Sequence, residues 1–213
     1  MRPRWLLFLS LVSLRAAAAD VDAPDLPALL PDSAVSVYYA HAAVPGADQL
    51  FGGDLGGNGY GVAGTYALDK RFYLVGRYDA WGIDFFGLDL EWEDWRVGGG
   101  ARLPLSEDWQ LTGELTWERV EFKFRALGDE ADGEGFGARL GVRGRLFARV
   151  ELDAGLRYVN YDISGPAYLA PAPDELRREL GLVIRLARHL GLTLGNERGA
   201  SYTTERIGVR FGF

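Results

Sequence analysis

The sequence predicts an all-β fold, an antiparallel up-and-down transmembrane β-barrel of about ten strands that follows an N-terminal signal peptide. Apolar and polar residues alternate along nearly the whole chain, as in strands whose two faces meet different environments. The connections between the alternating runs are long and short in turn. No later stretch approaches the roughly 20 apolar residues of a membrane helix, so strands are predicted to make any membrane crossing.

The N-terminal segment is typical of an export signal. Two arginines precede an apolar run over residues 5–14, and an alanine run follows. Residues 1–19 are therefore predicted to be a signal peptide that is cleaved after Ala19. Residues 20–33 carry three prolines among acidic residues and are predicted to be a periplasmic linker, with the barrel over 34–213.

The alternation defines the strands in chain order. The predicted long loops at residues 45–58, 82–91, 128–134, 164–173 and 196–201 alternate with short turns at 69–71, 104–108, near 147 and at 188–189. Such barrels carry long loops on the outer side and short turns on the periplasmic side, and an even strand count places both chain ends there. The predicted strands are 34–42, 59–68, 72–79, 94–103, 109–118, 136–143, 150–158, 180–186, 192–194 and 206–213.

Two segments leave alternatives open. The alternation changes phase near Arg119, so the fifth strand either ends there or continues through a bulge to Phe124. Residues 174–191 also suit a helix, with Asp174 as N-cap and Gly191 as C-cap. A pair of strands would continue the regular succession of hairpins and is favoured, whereas a helix would leave about eight strands.

Composition excludes several classes of function. The 213 residues include no cysteine, so disulfides, thiolate metal sites and cysteine nucleophiles are excluded. Loss of the leader, which holds three arginines and no acid, moves the formal charge from −7 to −10. A net acidic chain argues against a nucleic-acid partner. No cofactor is expected.

The alternation alone does not decide which face points into the barrel. A soluble barrel would bury its apolar face around a ligand. The polar face here is rich in glycine and in both signs of charge, which suits side chains that pair across a narrow lumen. The predicted lumen charges are Arg77, Asp79, Arg96, Arg102, Glu114, Glu118, Arg139, Arg143, Glu151, Asp153, Arg157, Arg185, Arg206 and Arg210.

Aromatic residues cluster near both ends of the predicted strands. Tryptophan and tyrosine favour a membrane interface, because an apolar ring and a polar edge are both satisfied there. The residues predicted near the long loops are Tyr60, Trp95, Trp117, Phe136, Tyr158 and Tyr202, and those near the short turns are Tyr66, Phe72, Trp109 and Phe147.

The runs at 59–67, 95–100 and 208–213 resemble the small porin-like outer-membrane β-barrel family of Gram-negative bacteria. The resemblance covers residues 34–213 and implies an outer-membrane location, with outer-membrane lipids and lipopolysaccharide as partners. It also implies that the barrel-assembly machinery recognises the terminal aromatic residue, and a monomer is expected. The predicted C-terminal assembly signal is Ile207, Val209, Phe211 and Phe213.

Catalysis is an alternative of a different class. Some small outer-membrane barrels are enzymes with sites near the outer rim, where a histidine moves protons. Only His41 lies at a predicted outer rim, and it could pair with Asp48 or Asp54 and with Ser201 as a lipid or peptide hydrolase. No nucleophile motif accompanies it, so a solvated histidine is favoured. Acids that could bind cations bridging lipopolysaccharide, but more simply keep loops solvated, are Asp84, Asp89, Glu91, Asp129, Glu130, Asp132 and Glu134.

The lumen charges carry the remaining functional question. Long paired side chains would fill a narrow barrel, which predicts a non-enzymatic protein with a structural or surface-interaction role. The alternative is a narrow passive pore, because an excess of arginine would favour a thin anion path. The filled lumen is the favoured hypothesis.

Overall fold

The computed structural model describes residues 33–44, 55–85, 88–125, 128–166, 173–200 and 202–213. The predicted signal peptide, and the predicted linker except for Ser33, lie outside the described residues. Within the described residues no helix is long and apolar enough to cross a membrane.

Ten antiparallel strands form a closed barrel in which each strand pairs with its neighbour in sequence and β10 pairs with β1. This confirms the predicted up-and-down barrel, and the ten-strand prediction is correct. The strands are β1 Ala34–Val44, β2 Leu55–Ala67, β3 Phe72–Phe85, β4 Leu88–Pro104, β5 Trp109–Phe124, β6 Asp129–Phe147, β7 Val150–Ser164, β8 Asp174–Ala187, β9 Leu190–Arg198 and β10 Thr203–Gly212.

The helical alternative for residues 174–191 is wrong. This segment forms β8 and the start of β9, joined by a tight turn. Glu175, Arg177 and Glu179 occupy alternate positions and are inward-facing, while Leu176 and Leu180 are exposed. The charge pattern therefore has the period of a strand.

Three predicted loops are shorter than expected, because the hairpins extend further. β2 begins at Leu55, the turn between β3 and β4 lies after Phe85, and β6 begins at Asp129. The predicted bulge near Arg119 is also wrong, since the pairing of β5 with both neighbours continues without a shift to Phe124. Register shifts occur instead at the short turns, between Arg145 and Phe147 and between Arg185 and Ala187.

The change in pattern near Arg119 has a chemical cause. Val120 and Phe122 keep the same inward phase as Glu118, and all three are buried. The inward face of β5 thus changes from polar to apolar, without any change in strand geometry. The end of the lumen on the side of the predicted long loops, which we call the outer end, is therefore lined by apolar side chains.

The exterior of the barrel is apolar. Twenty-five large hydrophobic residues are exposed among the described residues, including leucines and valines in the middle of the strands. Tyr60, Trp95, Trp117, Phe136 and Tyr158 are exposed near one rim, and Tyr66, Phe72 and Phe147 near the other. Tyr202 departs from the predicted belt, because it lies inside the barrel with 1% of its surface exposed.

Inward glycines make room for large side chains in the lumen. A Cβ atom on Gly61 would lie 2.4 Å from the Tyr38 ring and 2.5 Å from the Asp79 carboxylate. Gly208, on the other side of β1, is equally close to Tyr38. Tyr38 therefore lies across two glycines, which a larger residue at either position would displace.

We expect Gly61→Val to destabilise the folded barrel by about 1–3 kcal/mol, because the new side chain would overlap Tyr38. Gly64→Val is the matched control on the same strand, since its Cβ would face outward and would meet nothing closer than 3.7 Å. Urea unfolding of the liposome-inserted protein, followed by tryptophan fluorescence, would measure both. Equal stability of the two variants would contradict the lumen packing described here.

The short turn between β2 and β3 is organised by Asp69. Its carboxylate accepts hydrogen bonds from the backbone N–H of Phe72 at 2.7 Å and of Arg71 at 2.6 Å. These two bonds, that from Phe72 first, hold the pKa of Asp69 below its ordinary value of 3.8. The turn is thus stabilised by the ionised carboxylate.

The lowered pKa predicts a pH dependence. The stabilisation is complete above the ordinary carboxyl pKa and is lost as the pH falls through the lowered value in the folded state. Amide hydrogen exchange at Phe72 should therefore accelerate, relative to the intrinsic rate, below about pH 4. Asp69→Asn should remove this dependence, whereas Glu107→Gln in the next short turn should leave it unchanged.

Candidate functional site

The lumen is the candidate functional site, because the strand registers bring most of the charged side chains there. All fourteen residues predicted as lumen charges lie on inward-facing positions. The paired positions show this strand by strand: Arg77 lies opposite Arg96, Arg96 opposite Glu118, and Glu114 opposite Arg139, which lies opposite Arg157. The remaining members are Asp79, Arg102, Arg143, Glu151, Asp153, Arg185, Arg206 and Arg210.

Five lumen charges were missed by sequence reasoning. Asp94 was recognised on β4 but was not included, Glu175, Arg177 and Glu179 fell in the segment with a helical alternative, and Glu197 fell in a predicted loop. Continuing the two-residue period of β8 towards Asp174 would have found three of them. They change the charge balance of the lumen, because four of the five are acids.

The lumen is nearly neutral once these residues are included. Between its apolar outer end and the short turns, the lumen holds ten arginines and nine carboxylates among the described residues. The predicted set held nine arginines and five carboxylates. The predicted excess of arginine is therefore almost cancelled. The arginines are 77, 96, 102, 139, 143, 157, 177, 185, 206 and 210, and the acids are Asp79, Asp94, Glu114, Glu118, Glu151, Asp153, Glu175, Glu179 and Glu197.

Glu197 is the centre of the ion-pair network. Its carboxylate accepts hydrogen bonds from Arg96 at 2.7 Å, Arg206 at 2.9 Å and Arg77 at 3.1 Å, and lies 3.5 Å from Arg177. The Tyr202 hydroxyl donates a further bond at 3.1 Å. Glu197 itself is fully buried. One carboxylate thus compensates guanidinium groups from four different strands.

A second cluster lies beside it, around Glu179 and Arg157. Arg157 donates to Glu114 at 2.8 Å, to Glu118 at 3.0 Å and to Glu179 at 2.8 Å. Arg139 donates to Glu179 at 2.5 Å and forms a second ion pair with Asp153. The two clusters are connected, since Arg96 also lies 3.3 Å from Glu179. Charged side chains therefore bridge the lumen from β3 round to β10.

An aromatic cluster closes the outer end of the lumen. Its members are Trp81, Trp92, Phe122 and Tyr202, and all four are buried. The ring centroids of Trp92 lie 4.6 Å from Trp81, 4.1 Å from Phe122 and 4.8 Å from Tyr202. The aromatic cluster was not predicted, because Trp81 and Trp92 lie just beyond the ends of the predicted strands, Phe122 lies beyond the change of phase, and Tyr202 was placed in the outer belt.

Four arginines surround the end of the lumen near the short turns. Arg102, Arg143, Arg185 and Arg210 lie close to the last residues of β4, β6, β8 and β10. We call them the mouth arginines. Arg143 and Arg185 both contact Glu151, at 2.9 Å and 2.8 Å. The described lumen thus carries its positive charge at the mouth, while the ion-pair network above it holds more acids than arginines.

His41 does not form a catalytic site with the described residues. It lies on the outward face of β1, and its Nδ1 is 2.9 Å from the Asn58 Oδ1 atom. Its pairing partner on β10 is Glu205. The proposed partners Asp48, Asp54 and Ser201 lie outside the described residues. The hydrolase alternative is therefore not supported by the geometry around His41.

The predicted loop acids do not assemble a metal site. Asp129, Glu130, Asp132 and Glu134 belong to β6, and the described part of the chain holds no group of three or more acids or histidines placed to bind a metal ion. Glu91 instead pairs with Arg125 at 2.6 Å. The side chains of Asp84 and Asp89 are not among those described.

The residues of the predicted assembly signal lie on the strand that closes the barrel. Val209 pairs with Val37, Phe211 with Val35 and Ile207 with Tyr39. The backbone N–H of Phe213 donates to the Ser33 carbonyl at 2.9 Å. The four side chains lie on the outward face, and Phe213 is well exposed.

No protein-family model matches the sequence, and no curated protein matches it either. Solved structures give a likeness in fold. Neisserial surface protein A has 15% identity and a TM-score of 0.45, over 85% of this chain and 97% of that chain. Ail, the attachment invasion locus protein of Yersinia pestis, has 13% identity and a TM-score of 0.42, over 86% of this chain and 100% of that chain. The outer membrane protein OprG from Pseudomonas aeruginosa has 10% identity and a TM-score of 0.42, over 89% of this chain and 99% of that chain.

Glu197→Gln is expected to destabilise the barrel by about 3–5 kcal/mol, because several buried guanidinium groups would lose their shared counter-charge. Glu205→Gln is the matched control on the adjacent strand, since its side chain is exposed and should change stability by about 0.5 kcal/mol or less. Urea unfolding in liposomes would compare them. Similar stability of the two variants would show that Glu197 is not central to the network.

Proposed function

We propose that the chain is an integral outer-membrane β-barrel with a closed lumen, and that it has a structural or surface-interaction role without catalytic activity. The observation that carries this proposal is the combination of an apolar exterior with a lumen filled by paired charges and closed by the aromatic cluster.

The exterior supports a membrane location. Exposed leucines, valines and aromatic rings surround the barrel, far beyond the few hundred Å² of apolar patch that a soluble monomer shows. On β5 the two outward tryptophans, Trp109 and Trp117, are separated by about 27 Å of strand, or about 20 Å along the axis of a barrel with ordinary tilt. That height is close to the apolar band of outer-membrane barrels. A soluble barrel would need the opposite orientation of its faces.

The filled lumen favours a closed barrel over the pore alternative. Val120, Arg177 and Glu197 have no exposed surface, and the aromatic cluster leaves its four rings buried. A conducting path would have to displace rings that contact one another and to separate buried ion pairs. Breaking one such pair alone costs about 3–5 kcal/mol. The near balance of charge also removes the arginine excess on which an anion pore depended.

The long strands support a surface-interaction role. β5 continues about seven residues beyond Trp117 at the outer rim, and β6 starts about as far before Phe136. The outward side chains of this extension are charged and exposed to solvent, with Arg119 and Lys123 both near Glu121. The extension therefore presents a rigid, polar sheet surface beyond the membrane, on which a partner can dock.

Outer-membrane lipids and lipopolysaccharide are the proposed partners of the exterior. Arg178 and Arg198 face outward directly opposite each other on β8 and β9, and both are exposed. Neither forms an ion pair with a described residue, although like charges placed opposite each other are unfavourable. Lipid phosphates at the rim would compensate both. We also propose that the barrel-assembly machinery recognises the terminal Phe213. We propose that the protein is a monomer.

The closed lumen is tested in planar bilayers. The purified protein, whose folding is verified by a heat-dependent shift on SDS gels, should show no stable conductance steps. Trp92→Ala combined with Glu197→Gln should produce them if the double variant folds, because it removes the central ring and the central carboxylate. Phe136→Ala, on the exterior, is the control and should remain silent. Steady conductance by the unmodified protein would favour the pore alternative.

The absence of catalysis has its own test. His41→Ala should leave every lipid or peptide hydrolysis assay at the level of the unmodified protein, because the hydrogen bond that the His41 ring makes with a described side chain is to Asn58 and joins it to no acid or nucleophile. A hydrolytic activity that is present in the unmodified protein and lost in this variant would support the rim enzyme instead.

A further inference from the structure

A polar cavity of about 220 Å³ lies in the lumen between the ion-pair network and the short turns. It is large enough to hold several water molecules. Small inward residues create it, because Ser36, Ala63, Gly181, Thr193 and Gly195 leave the lumen unfilled at this level. The ion-pair network above it and the mouth arginines below it use long side chains instead.

The cavity is a blind vestibule that opens towards the short turns. Asp153 lines it and faces inward, and yet 42% of its side chain is exposed. Ser36, Thr193 and Arg210 are likewise inward-facing and only half-buried. Towards the outer end, in contrast, the aromatic cluster and Val120 are buried. Solvent therefore reaches the cavity from the mouth.

The charges around the vestibule favour an anion. Arg77, Arg139, Arg206 and Arg210 line it, against Asp153 and Glu179. Both carboxylates already pair with Arg139, and Glu179 also pairs with Arg157. Arg77 has a buried Nη2 atom that donates no hydrogen bond to any described residue. Guanidinium groups in a partly enclosed site bind oxyanions through charge-assisted hydrogen bonds.

The mouth adds to this potential. The four mouth arginines occupy inward-facing positions, Arg102 and Arg185 buried and Arg143 and Arg210 half-buried, and Glu151 contacts Arg143 and Arg185. Like charges that line a low-dielectric opening raise the local concentration of ions of the opposite sign. An anion that enters from the short-turn side thus meets a positive rim and then donors in the vestibule.

We propose that this vestibule is a binding site for a small oxyanion, carried by a solute with phosphate or carboxylate groups, that enters from the side of the short turns. Binding occurs without passage through the barrel, because the aromatic cluster closes the other end. The proposal goes beyond the closed-barrel role and is testable separately from it, since binding is measured in detergent and conductance in bilayers.

The test uses the full barrel folded in a non-ionic detergent without added lipid. Inorganic phosphate and succinate are titrated in separate calorimetric experiments at constant ionic strength, with chloride as the balancing anion, because screening would otherwise change with the titrant. We expect saturable 1:1 binding of at least one of the two probes. Arg210→Gln should weaken binding about tenfold or more, since one charge-assisted hydrogen bond is lost.

Two further variants keep the result interpretable. Arg125→Gln removes one exposed guanidinium that pairs with Glu91 at the outer end, and it should retain the affinity within about twofold. Thr193→Leu fills the vestibule without altering its charge, so it should abolish binding even if Arg210→Gln fails to fold. Absence of saturable binding of both probes by the unmodified protein would overturn the proposal. Equal losses in Arg125→Gln and Arg210→Gln, or full binding by Thr193→Leu, would overturn it as well.

Discussion

The ion pairs of Glu197 are the interaction on which the lumen depends. Arg77, Arg96, Arg177 and Arg206 reach it from β3, β4, β8 and β10, so that one buried carboxylate joins strands on opposite sides of the barrel. Burial of charges is costly unless each is compensated, and the cost would return if any of these strands moved away. The network therefore specifies one arrangement of the lumen rather than merely filling it.

The layers of the lumen follow from what each level can accommodate. Apolar rings occupy the outer end, where Tyr202 links them to Glu197 of the charged network, and glycines lie under large side chains such as Tyr38. Where small residues face one another without a large neighbour, space remains and the vestibule forms. A narrow barrel can thus be sealed at one end and accessible at the other.

Much of the fold could be predicted from the sequence, because the two-residue period is strong from Tyr60 to Phe211 and because it alone separates outward-facing from inward-facing residues. Prediction failed where the chemistry of a face changed along one strand, as at Val120 and Phe122. The two-residue period indicates on which face a residue lies, but not how far along the barrel axis it lies. Prediction also missed Glu197, because the sequence placed this residue in a loop, whereas β9 continues to Arg198 in its pairing with β10. The lumen charges were accessible to sequence reasoning, but their balance and the vestibule were not.

The position of Glu197 near the C-terminus has a consequence for folding kinetics. Its partners Arg77 and Arg96 precede it by 120 and 101 residues, so these bonds close long loops in the chain. They join strands on opposite sides of the barrel, and contacts of such sequence separation are slow to assemble. We therefore expect the network to form late in folding, and its rupture to set the unfolding rate of the barrel.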